Sequence, residues 1–248
     1  MKIRRNFLIY PLVLMCGYLV FASSCKKDEV DAPNTFTDSR DGYVYKTVTI
    51  GNQEWMAENL KYLPSVVNSA TGSSTTPYYY VYGYEGTDVA EAKSNPNYTT
   101  YGVLYNWEAA KAACPNGWHL ASDAEWEMLA NYLADNDYNY DGSTGGGRDK
   151  IAKSLASTNY WQSSSNTGAV GNADYPDYRN KSGFTGLPSG YRELIGGFYF
   201  LGSLEYWWNG TEASTGSAWY QYLNFGHSHL NRATNNKEYG FSARCIRN

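Results

Sequence analysis

Residues 114–129 read CPNGWHLASDAEWEML and set a cysteine, a histidine, an aspartate and two glutamates within sixteen positions. A metal site there needs ligands that converge, for instance His119 with Asp123 or Glu127. The spacing points elsewhere. Ser122 followed three residues later by Glu125 is a capping box, in which both side chains serve backbone donors at a helix start. Asp123 then falls in the first turn, where it complements the helix dipole. Glu125 and Glu127 are two apart and leave a helix on different sides, so they do not pair. His119, between Trp118 and Leu120, reads as a structural histidine. Neither catalysis nor a metal is expected from this stretch.

Two other stretches carry ligand-type residues. DNDYNYDG (135–142) places Asp137, Asn139 and Asp141 at alternate positions before Gly142, as a calcium loop begins. Arg148 stands where the bidentate glutamate of such a loop falls, which favours a solvated turn after a helix. Calcium through Asp137, Asn139 and Asp141 stays as the competing reading. His227 and His229 alternate and share one face of a strand. No third ligand accompanies them, and they read as a surface pair. No glycine-rich phosphate loop, nucleophile elbow or paired-carboxylate site emerges, so an enzyme is not expected.

The strongest functional signal is aromatic. The chain has 25 Tyr and 8 Trp among 248 residues, with much Gly, Asn and Ser and only 18% charged. YYYVYGY (78–84), YWWNGTE (206–212) and the stretch 219–239 mix Tyr and Trp with Asn, Ser, Gly, His and Arg. That is the palette of a binding surface, rigid amphipathic rings beside adaptable hydrogen bonders. Alternation in WYQYLNF puts Tyr220, Tyr222 and Asn224 on one face, with Trp219, Gln221, Leu223 and Phe225 on the other. The expected ligand-binding set is Trp207, Trp208, Tyr220, Tyr222, Asn224, His227, His229, Asn231 and Arg232. The competing reading, the core and edge of an aromatic-rich sheet, accounts for about half of these aromatic residues.

The elements that must position them are short. Asn106 to Ala113 is an alanine-rich helix capped by Asn106. Ser122 to Ala134 carries Trp126, Leu129, Ala130 and Leu133 as an apolar stripe at helical spacing. A third, short helix fits Lys150 to Ala156. Strand-like runs lie at 43–50, 197–203, 218–225 and 240–248, with long loops at 62–100 and 157–183. Helices early and strands late make an α+β domain.

Lys2, Arg4 and Arg5 precede an apolar run from Phe7 to Phe21, then Ala22, Ser23, Ser24 and Cys25. That is a signal peptide, too short for a membrane span. The cysteine after small residues resembles a bacterial lipoprotein signal, which implies that Cys25 is lipidated and becomes the mature N-terminus; Ala22 departs from the large aliphatic usual there. Lys27-Asp28-Glu29 is similar to the acidic tag that sends such lipoproteins to the outer face of the outer membrane. The expected organisation is a signal peptide (1–24), a polar tether (25–37) and one domain (38–248). Removal of residues 1–24 takes three basic residues and no acidic one from 20 basic and 24 acidic, leaving a net charge of −7. Such a chain has no electrostatic footprint for nucleic acid, and its membrane partner is reached through the lipid. Cys114 and Cys245 remain as an even pair in an oxidising compartment. They read as one disulfide, against two free buried thiols.

The blocks at 41–62, 101–129, 182–192, 206–212 and 235–248 together resemble the Fibrobacter succinogenes major paralogous domain family, secreted or lipidated proteins abundant in Bacteroidetes. No activity comes with that resemblance. NWEAAKAACPNGWHLASDAEWEML (106–129) is also similar to the C-type lectin pattern. That similarity implies two main helices, a twisted and mainly antiparallel sheet with long loops, and a long-range disulfide that Cys114 and Cys245 would reproduce. The lectins' calcium-and-sugar motif is approached only by WWNG (207–210), with Gly210 in place of the aspartate. Formylglycine-generating enzymes share the helix block and the ending GFSARCIR (240–247), but they need a cysteine pair for which no spare cysteine exists. Proteins diversified by retroelements, a third relative of the fold, vary a C-terminal surface corresponding to 219–239. The expected function is a non-enzymatic, surface-exposed lipoprotein that binds glycan or protein. The alternatives are a polysaccharide-acting enzyme and a structural coat or adhesion component.

Overall fold

A computed structural model describes residues 34–248. Cys25, the signal peptide and most of the tether lie outside the described residues. An α+β arrangement of short helices and several antiparallel sheets is observed.

The first sheet follows from alternation and a tight turn. In β2 (Val44–Ile50), Tyr45, Thr47 and Ile50 point inward while Val44, Lys46 and Thr49 face water. Gly51, at φ 64°, turns the chain into β3 (Gln53–Met56), a left-handed turn that glycine makes without steric cost. β1 (Thr35–Thr37) pairs with β2 on the outer side. Between this hairpin and the helices, β4 (Tyr79–Tyr80) pairs with β5 (Leu104–Tyr105). Two helices lie in the stretch expected to be loop. α1 (Val89–Ser94) is capped by Asp88 and α2 (Pro96–Tyr101) by Asn95, whose side chains accept from Glu91 N and Asn97 N. Both carry the cap residue, and α2 also has proline at its first position. Six-residue helices show too little periodicity to be read without those caps.

The expected central helices form. α3 (Trp107–Ala113) is capped by Asn106, and β6 (Trp118–Leu120) leads into α4 (Asp123–Asp135) with its capping box intact. Trp126, Leu129, Ala130 and Leu133 are all buried. α5 (Ala152–Leu155) is the short third helix. After it come the hairpin β7 (Tyr191–Arg192) and β8 (Phe198–Tyr199), then β9 (Leu204–Ser214), β10 (Ser217–Asn224), β11 (Asn231–Asn236) and β12 (Cys245–Arg247).

The last strand returns to the first sheet. β12 lies between β3 and β6 in the order β1-β2-β3-β12-β6, with Cys245 opposite Leu120. Cys114, at the C-cap of α3, is bonded to Cys245 across a sequence separation of 131 residues. The staple therefore ties the first helical region to the end of the chain.

β9, β10 and β11 form a separate antiparallel sheet. Each side of it meets a different part of the core. Trp208 belongs to the cluster of Tyr45, Met56, Leu60, Tyr105 and Phe241. Trp207 belongs to the cluster of Trp55, Trp126, Leu129 and Phe184. Adjacent tryptophans in a strand project to opposite sides, so this dipeptide plugs both cores at once. No helix among the described residues is long and apolar enough to cross a membrane.

Candidate functional site

The register of the β9–β10–β11 sheet decides which side chains meet. Tyr206 lies opposite Tyr222, which lies opposite Asn231; Trp208 lies opposite Tyr220, which lies opposite Ala233. Directly paired residues share a face, so Tyr206, Tyr220, Tyr222 and Asn231 stand together. The β7–β8 hairpin adds Tyr191 and Tyr199, also a direct pair, and Phe200 follows them. Tyr239 and Phe241 enter from the segment before β12. The rings pack closely: Tyr206 lies 5.4 Å from Tyr222 at 18° and 4.9 Å from Phe241 at 19°. Tyr191 touches Tyr206 at 5.1 Å, Phe200 at 5.8 Å and Tyr239 at 5.9 Å.

Phe241 and Trp208 are the buried floor of this cluster, and Tyr199 and Phe200, 47% and 52% exposed, are its outer rim. Phe200 has φ 63°. A bulky residue in the left-handed region is a genuine outlier and costs about 1–3 kcal/mol.

Several tyrosines of the core end in hydrogen bonds, whereas others outside this cluster, Tyr132, Tyr160 and Tyr175 among them, do not among the described residues. Tyr45 Oη accepts from Lys61 N at 2.9 Å, while Tyr80, Tyr98 and Tyr105 donate to the carbonyls of Thr71, Lys61 and Tyr62 at 2.7–2.9 Å. The hydroxyls of Tyr191, Tyr199, Tyr206, Tyr220 and Tyr222 make no such bond among the described residues, and they reach solvent. Burial, followed by the neighbouring tyrosines, pushes the Tyr220 hydroxyl up to about 12 and raises Tyr206 as well. Both therefore stay protonated, able to donate and to accept. Glu193 joins the edge of the face, its Oε1 accepting from Tyr239 Oη at 3.4 Å.

The reverse face of the same sheet is saturated. Arg232 lies over the Trp219 ring at 3.3 Å and donates to both carboxylate oxygens of Asp123 at 2.7 Å. That guanidinium is the largest influence holding the Asp123 carboxyl below its ordinary range. Gln221 accepts from Arg148 at 2.6 Å, and Arg148 also holds Glu127. Arg232 is therefore not part of the tyrosine face, since its register partner is Gln221. Trp207 and Trp208 also leave the expected set, because both are fully buried. Trp207 Nε1 donates to Asn59 Oδ1 and Trp208 Nε1 to Tyr105 O. A sheet packed on two sides makes core of residues that a sheet with one free side would expose.

Tyr220, Tyr222 and Asn231 do come together. Asn224 ends the same strand, and its Oδ1 accepts from Gly226 N in the turn toward β11. His227 and His229 occupy that turn with their rings stacked at 4.7 Å. In the 135–142 stretch, Asp137 bonds Lys181 and Tyr178, and Asp141 bonds Lys150 and Ser143. Asn139 is buried and donates to Ser143 O and Gly145 O. No group of three His, Cys, Asp or Glu able to hold a metal occurs among the described residues. His119 sits between Glu125 Oε1 at 2.8 Å and Asn248 Oδ1 at 2.6 Å.

Sequence reasoning missed Tyr191, Tyr199, Phe200, Tyr206 and Tyr239 as site residues. Tyr206 and Tyr239 stand within the aromatic stretches, but the other three join only through the β7–β8 hairpin.

Beneath the sheet lies a buried polar network. Asn59 Nδ2 donates to Glu205 Oε1 at 2.9 Å and to Ser242 Oγ at 3.1 Å, while its Oδ1 accepts from Arg244 Nη2 at 2.8 Å. Ser189 donates to Glu205 through its backbone N at 2.8 Å and through its hydroxyl. Burial pushes the Glu205 carboxyl up to about 7 and the Arg244 guanidinium down to about 10. Glu205 and Arg244 are completely enclosed, which makes this network an internal brace.

The Fibrobacter succinogenes major domain family matches residues 48–247, and the chain belongs to that family. Neither a curated protein nor a solved structure matches it.

Proposed function

We propose that the protein is a ligand-binding module rather than an enzyme, and that Tyr191, Tyr199, Phe200, Tyr206, Tyr220 and Tyr222 form its binding face. The observation that carries this reading is the clustering of unpartnered tyrosine hydroxyls around half-exposed rings, beside a strained and exposed Phe200. Rings already packed against one another lose little side-chain entropy on binding, and free hydroxyls leave their hydrogen-bonding capacity for a partner. The scaffold is a C-type-lectin-like domain. Its support is the disulfide from the end of α3 to the last strand, together with that strand's return between β3 and β6. The module is carried on a lipoprotein anchored through Cys25 in the outer membrane and facing outward. Incorporation of labelled fatty acid that stops on Cys25→Ser tests the anchor.

The binding test uses the full-length chain against cell-surface glycan and protein fractions, with Tyr206→Ala/Tyr222→Ala as the control. Capture that falls about tenfold or more in the double variant supports the face. Capture unchanged by the double variant removes it.

A further inference from the structure

Resting on that binding face, we propose that its ligand is an uncharged glycan, held by ring stacking on Phe200 and by the tyrosine hydroxyls without calcium. The charges around the face select against an anionic partner. Arg192, adjacent to Tyr191 in β7, is fully buried; its Nε and Nη1 donate to the carbonyls of Ser69 and Glu238, and its Nη2 is enclosed without a partner among the described residues. Arg232 is bound to Asp123 on the reverse face, and Lys237 is buried against Glu212. The ionised group that joins the face is the carboxylate of Glu193. A uronate, a sulfated sugar or a phosphate chain would be repelled by that carboxylate.

The geometry fits a sugar. A pyranose offers a flat apolar face edged with hydroxyls that both donate and accept. Phe200 offers a half-exposed ring, the tyrosine hydroxyls donate and accept in turn, and Glu193 supplies a planar acceptor. A protein partner of high affinity anchors large side chains in desolvated pockets. Two clefts, of about 380 and 360 Å³, lie beside Tyr43 and Glu58 and beside Glu125 and Met128. Phe200 adds to this, and it shares its backbone conformation with the exposed Tyr160 and Tyr175 of other loops. Its left-handed backbone is a cost that glycine or asparagine would remove, yet the ring it displays is 52% exposed. The interior recovers little from such a residue, whereas a ligand stacked on the ring does.

The test is an array of neutral, uronate-containing and sulfated polysaccharides, with a surface-protein fraction alongside, probed with the full-length chain. Binding is repeated in chelator and in raised salt, and then with Phe200→Gly and Phe200→Asn, whose melting temperatures are measured in parallel. The expected result is neutral-glycan binding indifferent to chelator and salt. It should weaken about tenfold in both Phe200 variants, with melting temperatures equal to or above that of the parent. Preference for acidic glycans, loss in chelator, or neutral binding untouched by the Phe200 changes overturns the inference. Capture of protein alone, sensitive to Tyr206→Ala/Tyr222→Ala, overturns the glycan class and leaves the binding face standing. Absence of any capture that depends on Tyr206 and Tyr222 overturns both.

Discussion

On one face of the β9–β10–β11 sheet, Arg232, Gln221 and Asp123 are locked in a chain of charge-assisted hydrogen bonds that reaches Arg148 and Glu127. On the other, Tyr206, Tyr220 and Tyr222 pack on one another, Tyr206 stacked on Tyr222, and their hydroxyls reach solvent without a partner among the described residues. Both faces are aromatic and polar, and composition does not separate them. Saturation does. A polar group already bonded within the fold has little left to offer a ligand, while a rigid one without a partner has all of it.

The comparison extends inward to the Asn59 brace, where the largest effects are expected. Asn59→Leu strips partners from Glu205, Arg244 and Trp207 together and should cost about 3–5 kcal/mol in denaturant unfolding. A loss under about 1 kcal/mol would mean that the enclosed network contributes no more than the open face does. Removing the staple with Cys114→Ser/Cys245→Ser should cost about 2–5 kcal/mol, because it releases a loop spanning 131 residues in the unfolded chain.

Glu205 sharpens the contrast through pH. Its folded value is raised to about 7 from 4.5 by burial, so the folded state binds the proton more tightly than the unfolded chain. The associated stability is fully present below about pH 4.5 and lost as pH rises through about 7, on the order of 3 kcal/mol in all. Glu205→Gln should flatten that slope. The lowered carboxylates, Asp123 and Glu125 among them, act in the opposite sense, losing their contribution as pH falls through their folded values below the ordinary range. A slope between pH 5 and 7 that survives in Glu205→Gln would assign it to another group.

The smallest stability effects separate the two faces most directly. Arg232→Gln should cost up to about 1 kcal/mol, since the pair is partly solvated, and leave ligand capture unchanged. Tyr222→Phe should change stability by less than about 0.5 kcal/mol and still weaken capture several-fold. The reverse pattern in unfolding and capture assays would exchange the roles assigned to the two faces.

Much of the scaffold was legible in the chain itself. Ser122 with Glu125, and Asn106, announce two helix starts through local hydrogen bonds that need no distant partner. The stripe from Trp126 to Leu133 names the buried side of α4, and Cys114 with Cys245 names the staple. Alternation also placed Tyr220 and Tyr222 on one side of their strand. Local periodicity is written into sequence because it depends only on backbone geometry.

What the strand's two sides face is a tertiary matter. Trp207 and Trp208 read as surface anchors until a second core on the far side of β9 buries both. Arg232 joined the binding set by proximity in sequence and left it by register, one residue out of phase with Asn231. Tyr191, Tyr199 and Phe200 entered through the packing of a separate hairpin. Motifs along the chain were enough for the family, the main helices and the cysteine pair. Which hydroxyls go unpartnered could be read only from the folded chain, because that depends on what distant segments bring against them.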